Sequence, residues 1–305
     1  MNYTYSISIP HYNSSLLLKR MLKSIPERDD IQVIVVDDGS SNEHVSEIKN
    51  IQHQNLEIVF LEENRGGGYA RNVGLQHAKG KWLISVDADD YFSDHAFEVL
   101  DKYKDMDYDY VCYCIQEIDG ITSQARAVMN QSDLSVRQYI KYPNKKALSH
   151  FKYKNYESWN KMLSMDFIRK NNIHWENCRI NIDVMFSLQV GLNGKRFIAI
   201  PEQLYNWVCT PNSITQKRRD IKREFDFYLQ VIKRNTIYKR LGLGYPFYRP
   251  ELLYIPFLLK KRGLFDSIIF LIYRCKHINE INEAQRAYLP LLENIDISRL
   301  RKEIL

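Results

Sequence analysis

Short apolar runs alternate with amphipathic stretches through the first third of the chain. Residues 5–9, 31–36, 56–61 and 82–86 are apolar segments short enough to be strands, several of them with the continuous hydrophobicity of a strand covered on both faces. Between the first two, Leu17, Leu18, Met21, Leu22 and Ile25 recur at helical spacing behind Ser14 and Ser15, either of which suits an N-cap. Val45, Ile48 and Ile51 repeat the pattern. The next connection begins with Gly66, Gly67 and Gly68, opens a helix carrying Arg71 and Asn72, and stops at Gly80. Strands alternating with helices of this length imply a parallel sheet with right-handed crossovers.

A helix from Phe92 to about Met106 and a strand from Tyr108 to Ile115 are expected to extend that sheet. Residues 116–156 are polar and without a clear period, which predicts excursions and not a new core. Helices follow near Asp166–Asn171 and over Asp183–Leu192, then strands at Arg196–Ile200 and Leu204–Val208. Beyond Pro211 the pattern is helical: Ile221–Lys239, Leu252–Lys261, Leu264–Cys275 and Ile281–Leu292. The expected fold class is α/β, a doubly wound and mostly parallel sheet flanked by helices over residues 1–215. Residues 216–305 form a helical C-terminal extension.

The strand ends carry the chemistry. Asp37 and Asp38 close the second strand; Asp87, Asp89 and Asp90 close the fourth, with Ala88 between the first two. Ligands of open α/β sheets bind at such ends. Three carboxylates in four positions repel one another and raise each other's pKa unless a cation lies between them. A hard divalent ion with oxygen ligands, shared with substrate phosphates, answers that need. Asp87 and Asp89 are assigned to metal and nucleotide; Asp90 is assigned to a solvated turn or a cap, alongside Ser93. No GxGxxG follows the first strand and no GxxxxGK[ST] occurs, which disfavours dinucleotide and P-loop sites.

The bulk figures change this picture little. The chain has 305 residues, 45% of them hydrophobic and 26% charged, as in ordinary globular proteins. The net charge of +6 is modest but clustered, at Lys217, Arg218, Arg219, Lys222 and Arg223 and again at Lys260, Lys261 and Arg262. Such clusters meet phosphates, an anionic membrane or nucleic acid, or are simply solvated helix faces. No nucleic-acid reading motif accompanies them. The five cysteines show no zinc spacing and are expected to be reduced core residues. Neither a signal peptide nor a membrane-length apolar stretch is present, which points to a cytoplasmic chain.

Taken in order, SIPHYN at 8–13, VIVVDDGS at 33–40, NRGGGYARNVGLQHAKGKW at 64–82, VDADD at 86–90, WNK at 159–161, NID at 181–183 and LYNW at 204–207 resemble family 2 glycosyltransferases of the GT-A fold. The resemblance covers about Ser6 to Thr215. It implies a nucleotide-binding half over 1–115 and an acceptor half over 116–215. Tyr12, with Pro10 before it, is similar to the ring that stacks on the nucleobase, Asp38 to the carboxylate that hydrogen-bonds the base, and Arg71 to a residue near base or phosphates. Asp87 resembles the ribose-facing aspartate and Asp89 the metal ligand. Loop, cap and surface-helix roles remain alternative readings for Tyr12, Asp38 and Arg71.

Family members usually open a helix in the second half with a Glu-Asp pair whose aspartate is the catalytic base. Here those positions are Ile182 and Asp183. The apolar Ile182 either tunes Asp183 by desolvation or marks a chain without activity, and Asp183 also suits a helix N-cap. Trp159 and Lys161 match a region bordering the acceptor, with packing an equal reading for Trp159. The implied activity is an inverting, metal-dependent transfer (Mn²⁺ or Mg²⁺) of a sugar from a nucleoside-diphosphate donor such as a UDP-hexose or UDP-N-acetylhexosamine. The acceptor would be a saccharide or lipid-linked saccharide hydroxyl, in bacterial surface-polysaccharide synthesis. The rivals are a nucleotidyltransferase and a catalytically silent nucleotide-sugar or glycan-binding protein. The apolar C-terminal helices with basic flanks suit either packing, an oligomer contact, or peripheral membrane contact at the inner face of the cytoplasmic membrane.

Overall fold

The computed structural model describes residues 3–127, 130–210, 220–243 and 250–305, with side chains from 254 in the last segment. The basic residues Lys217, Arg218 and Arg219 and the expected boundary at 215 lie outside these. The chain divides into two compact units, one of Met1–Asn177 with Ile182–Gln216 and one of Cys178–Asn181 with Lys217–Leu305.

In the first unit the chain runs β1 (Tyr5–His11), α1 (Ser15–Lys23), β2 (Ile31–Asp37), α2 (Asn42–Lys49), β3 (Leu56–Phe60), α3 (Gly67–His77) and β4 (Trp82–Ser85). It continues through β5 (Tyr91–Phe92), α4 (Ala96–Leu100), β6 (Tyr110–Asp119), β7 (Ala125–Arg126), α5 (Gln131–Lys141) and α6 (Lys145–Lys154). The last elements are β8 (Lys161–Ser164), α7 (Met165–Lys170), α8 (Ile182–Asn193) and β9 (Phe197–Cys209). One mixed sheet has the order β3-β2-β1-β4-β8-β6-β9-β5, with β7 beside β6. β1 to β4 pair in parallel, as the alternation predicts; β8 is antiparallel to both β4 and β6. β1 and β2 are almost wholly buried, and two apolar clusters cover the two faces of the sheet.

Several elements of this unit differ from the sequence expectation. The helix expected from Phe92 to Met106 is only α4. Tyr91 and Phe92 pair with β9 instead, and the turns after α4 give up the Lys104 carbonyl to the Trp82 indole at 2.8 Å. The strands expected at 196–200 and 204–208 are one strand, β9, whose register against β6 shifts twice around Cys114. That irregularity takes up Pro201 and Glu202, which read as a break in the sequence. Residues 116–156 hold two full helices, each capped by an asparagine: Asn130 accepts from Ser132 N at 2.8 Å and Asn144 from Ala147 N at 3.0 Å. Finally, α3 ends at His77, before Gly80, because Gln32 and Ser6 take the amides of Lys79 (2.9 Å) and Gly80 (2.8 Å).

The second unit is helical: α9 (Ile221–Leu241), α10 (Pro250–Arg262), α11 (Leu264–Lys276), α12 (Ile278–Arg286), α13 (Leu289–Glu293) and α14 (Ile297–Ile304). The single helix expected over Ile281–Leu292 is broken, since Pro290 sits in the first turn of α13, the position it favours. Phe225, Tyr228, Tyr254 and Phe270 form its aromatic core. No described helix is long and apolar enough to cross a membrane. All five cysteines are free. Cys112 and Cys114 are buried as expected, but Cys178 and Cys209 are half-buried and Cys275 is exposed.

Candidate active site

The site is assembled at the C-terminal ends of β1, β2 and β4 and the start of α8. α3 can enter it because the chain turns at Gly66, whose φ of 93° belongs to the left-handed region that glycine tolerates. Gly68 is required by proximity, since a Cβ there would lie 2.1 Å from the Glu176 carbonyl and 3.1 Å from Ile182 Cγ2. Ile182 therefore leans on the glycine loop.

Arg71, one turn into α3, is the electrostatic centre. Its guanidinium donates to Asp87 Oδ1, and its Nε lies 3.9 Å from Asp183 Oδ1. That Nε is buried without a hydrogen-bond partner. Burial opposes the charge, but Asp183 and Asp87 outweigh it and hold Arg71 firmly protonated. Asp87, Asp89 and Asp90 bring carboxylate oxygens within 4.8 Å of one another. Desolvation, only partly relieved by Arg71, pushes Asp87 up to about 6; desolvation also raises Asp89. Clustered carboxylate oxygens of this kind are a donor set that a hard divalent cation would fit.

Asp90 corrects the sequence expectation of a cap or solvated turn. It is buried and accepts from Tyr205 Oη at 2.7 Å and Val208 N at 2.8 Å, so it ties the acidic turn to β9. Tyr205 Oη also accepts from Asp87 N at 3.0 Å. Trp159 stacks on Tyr205 at 5.3 Å between centroids and is buried. Lys161 is buried too, its ammonium donating to the carbonyls of Asn155 and Glu157 and to Asn160 Oδ1 at 2.9 Å. Trp159 thus packs against the tyrosine that holds Asp90, and Lys161 fixes the backbone of residues 155–157.

Tyr12 lies just past β1, half exposed; Pro10 lies inside β1, where the ladder with β2 continues through Pro10↔Val36 after the pairing with β4 ends at Ser8↔Ser85. Asp38 accepts from the amides of Arg65 and Gly66, both at 2.8 Å, and so anchors the glycine loop. Asp37 accepts from His11 at 2.7 Å and Ser40 Oγ at 2.6 Å; burial is outweighed by these bonds, and its pKa is lowered.

Asp183 lies in the first turn of α8 rather than at its cap. It accepts from the Trp175 indole at 2.9 Å. Trp175 stacks on Phe186 at 3.7 Å, and its backbone is clasped by the Asn72 side chain through bonds of 2.8 and 2.9 Å. α3 thus supplies Arg71 and, through Asn72 and Trp175, orients Asp183. Nothing in the sequence but an isolated tryptophan in a polar run marks Trp175.

Glu157 also escapes the sequence pattern, although it stands beside the WNK segment. Ser187, one turn after Asp183 on α8, donates to the carbonyls of Tyr156 (2.6 Å) and Glu157 (3.1 Å) and fixes this loop. Desolvation and the nearby Asp183 charge push Glu157 up to about 7, from an ordinary 4.5. The folded state therefore holds a proton the unfolded chain has released. Stability is full below about pH 4.5 and falls as pH rises toward 7. Glu157→Gln is expected to remove this part of the slope, so that its stability relative to wild type grows between pH 4.5 and 7 and is level above. Urea denaturation at several pH values checks this; parallel profiles would exclude it.

The chain matches the model of glycosyl transferase family 2 over residues 6–171 and belongs to that family, with a GT-A-like fold. It is 35% identical over 95 residues to the poly(ribitol-phosphate) β-N-acetylglucosaminyltransferase TarS of Staphylococcus aureus, 29% of this chain and 17% of that protein. It is 29% identical over 144 residues to the GalNAc(5)-diNAcBac-PP-undecaprenol β-1,3-glucosyltransferase of Campylobacter jejuni, 44% of this chain and 47% of that one. These alignments span less than half of either relative. The crystal structure of S. aureus TarS 1–349 in complex with UDP-GlcNAc superposes with a TM-score of 0.63 at 19% identity, covering 100% of this chain and 90% of that one.

Proposed function

We propose that this chain is an inverting transferase that moves a sugar from a UDP-linked donor to a saccharide or lipid-linked saccharide hydroxyl in bacterial surface-glycan assembly. The observation that carries the reading is the placement of Asp183 and Asp87 against the same buried Arg71 guanidinium. Asp183 is held by Trp175 and Arg71 in a position to take a proton, and Asp87 stands beside Asp89 in the acidic turn that would meet the donor's diphosphate. The family and the TarS and Campylobacter relatives support the donor and acceptor classes.

In this reading Asp183 accepts the proton of the acceptor hydroxyl as its oxygen attacks the anomeric carbon, opposite the departing nucleotide. Trp175 keeps the carboxylate aimed. Arg71 offers positive charge to the leaving side. Tyr12 and Pro10 border the base, Asp38 lies beneath it holding the glycine loop, and Asp87 faces the ribose. Asp89, with Asp87, would hold Mn²⁺ or Mg²⁺, which supplies charge neutralisation to the diphosphate. Trp159 and Lys161 act from the second layer.

The test is UDP release from a panel of UDP-sugars, with Mn²⁺ or with chelator. Wild type is expected to release UDP from one sugar only with metal, and Asp89→Ala to lose the metal-dependent part of that rate. Metal-dependent UDP binding without release, with acceptor saccharides supplied, would favour the silent binding protein.

A further inference from the structure

The helix α11 is built inside out. Its buried side chains are Ser267 and Phe270, and Asp266 and Arg274 are only partly exposed, whereas its outward face is apolar. Leu264 is 67% exposed, Phe265 75%, Ile268 46% and Ile272 54%, with Ile269 and Leu271 beside them. An ordinary surface helix turns its apolar stripe to the core and its charges to water. A contiguous exposed apolar patch of this kind marks an interaction surface.

Its ends are basic. Lys260 and Lys261 are exposed just before it, and Lys276 is exposed at its end. Glu280, near that end, is engaged by His277 at 2.5 Å. The helix is 13 residues long, roughly 20 Å, too short to cross a hydrocarbon core of about 30 Å. An apolar face of that length between basic ends is the layout of a helix lying in a membrane interface. A second copy of the chain fits less well. Whether two α11 helices met parallel or antiparallel, their basic ends would face each other, and nothing within the face would neutralise them. An anionic leaflet does.

We propose that the outer face of α11 is a docking surface for anionic lipid, which holds the protein at the membrane where lipid-linked saccharides reside. The inference stands on the surface of the second unit and does not depend on the transferase reading. Each basic residue near an anionic leaflet contributes about 1 kcal/mol, or about fivefold in partitioning.

The experiment is sedimentation of the full chain with vesicles of phosphatidylcholine alone or with 30% (about one lipid in three) phosphatidylglycerol. Wild type is expected to bind the anionic vesicles, and the double variant Lys260→Gln/Lys261→Gln to bind about 25-fold more weakly. Phe265→Ser/Ile272→Ser is expected to lose at least about tenfold by reducing the apolar area inserted, with its thermal melt unchanged because both positions are exposed. UDP release measured without vesicles should be the same in all three proteins. Equal binding by wild type and variants, or no binding by wild type, overturns the proposal. So does a wild-type dimer, without vesicles, that Phe265→Ser/Ile272→Ser converts to monomer.

Discussion

Asp183→Asn is expected to lower kcat by about 10²–10⁴, the range for a general base, while leaving UDP affinity within about twofold. The substitution keeps an oxygen for the Trp175 indole, so the side chain stays where it is. It removes only the capacity to take a proton. It also removes one of the two carboxylates facing Arg71, but Asp87 still holds that guanidinium, and the fold should persist. Steady-state kinetics with the donor identified by the UDP-release panel, together with calorimetry of UDP, gives the needed split between rate and binding. A variant that keeps more than about a tenth of wild-type kcat would remove Asp183 from the role of base.

Arg71→Met is expected to damage both stability and binding. Removing one partner of a buried ion pair costs about 3–5 kcal/mol, because the other charge is left uncompensated. Asp87 and Asp183 keep some contact with water, their side chains 29% and 18% exposed, so the low end of about 3 kcal/mol applies. For a domain of this size that is a fall of roughly 6–12 °C in Tm. Arg71→Lys restores the charge but not the forked guanidinium, and is expected to recover more stability than activity. Mn²⁺ should raise the Tm of Arg71→Met more than that of wild type, because a cation among the carboxylates replaces part of what was lost. Wild-type stability and UDP affinity in Arg71→Met would contradict the central place given to this residue.

How far the sequence could be read follows from which forces act locally. The parallel strands β1, β2 and β4 were legible because burial on both faces favours apolar residues along most of their length, and the helices α1 and α2 carry a clear period. The acidic turn after β4 was legible as a concentration of like charge. α5 and α6 were not, because their polar surfaces hide the period and only the Asn130 and Asn144 caps betray them. Asp90 looked like a cap in sequence, and only Tyr205 and Val208, some 115 residues away, reveal it as a buried tie. Trp175 and Glu157 matter through tertiary contacts alone, with Asn72 and Ser187, and no local pattern encodes those.

The sheet order carries a consequence for whether the first unit can be divided. β8, from the later part of the first unit, is wedged between β4 and β6, while Tyr91–Phe92, from the earlier part, closes the far edge against β9. A cut after residue 115 would leave both pieces with open ladders and bare backbone groups, the condition under which edges seek wrong partners. The two portions are therefore not interchangeable cassettes. Each portion supplies strands that complete the other's ladders, so the sheet folds as one unit.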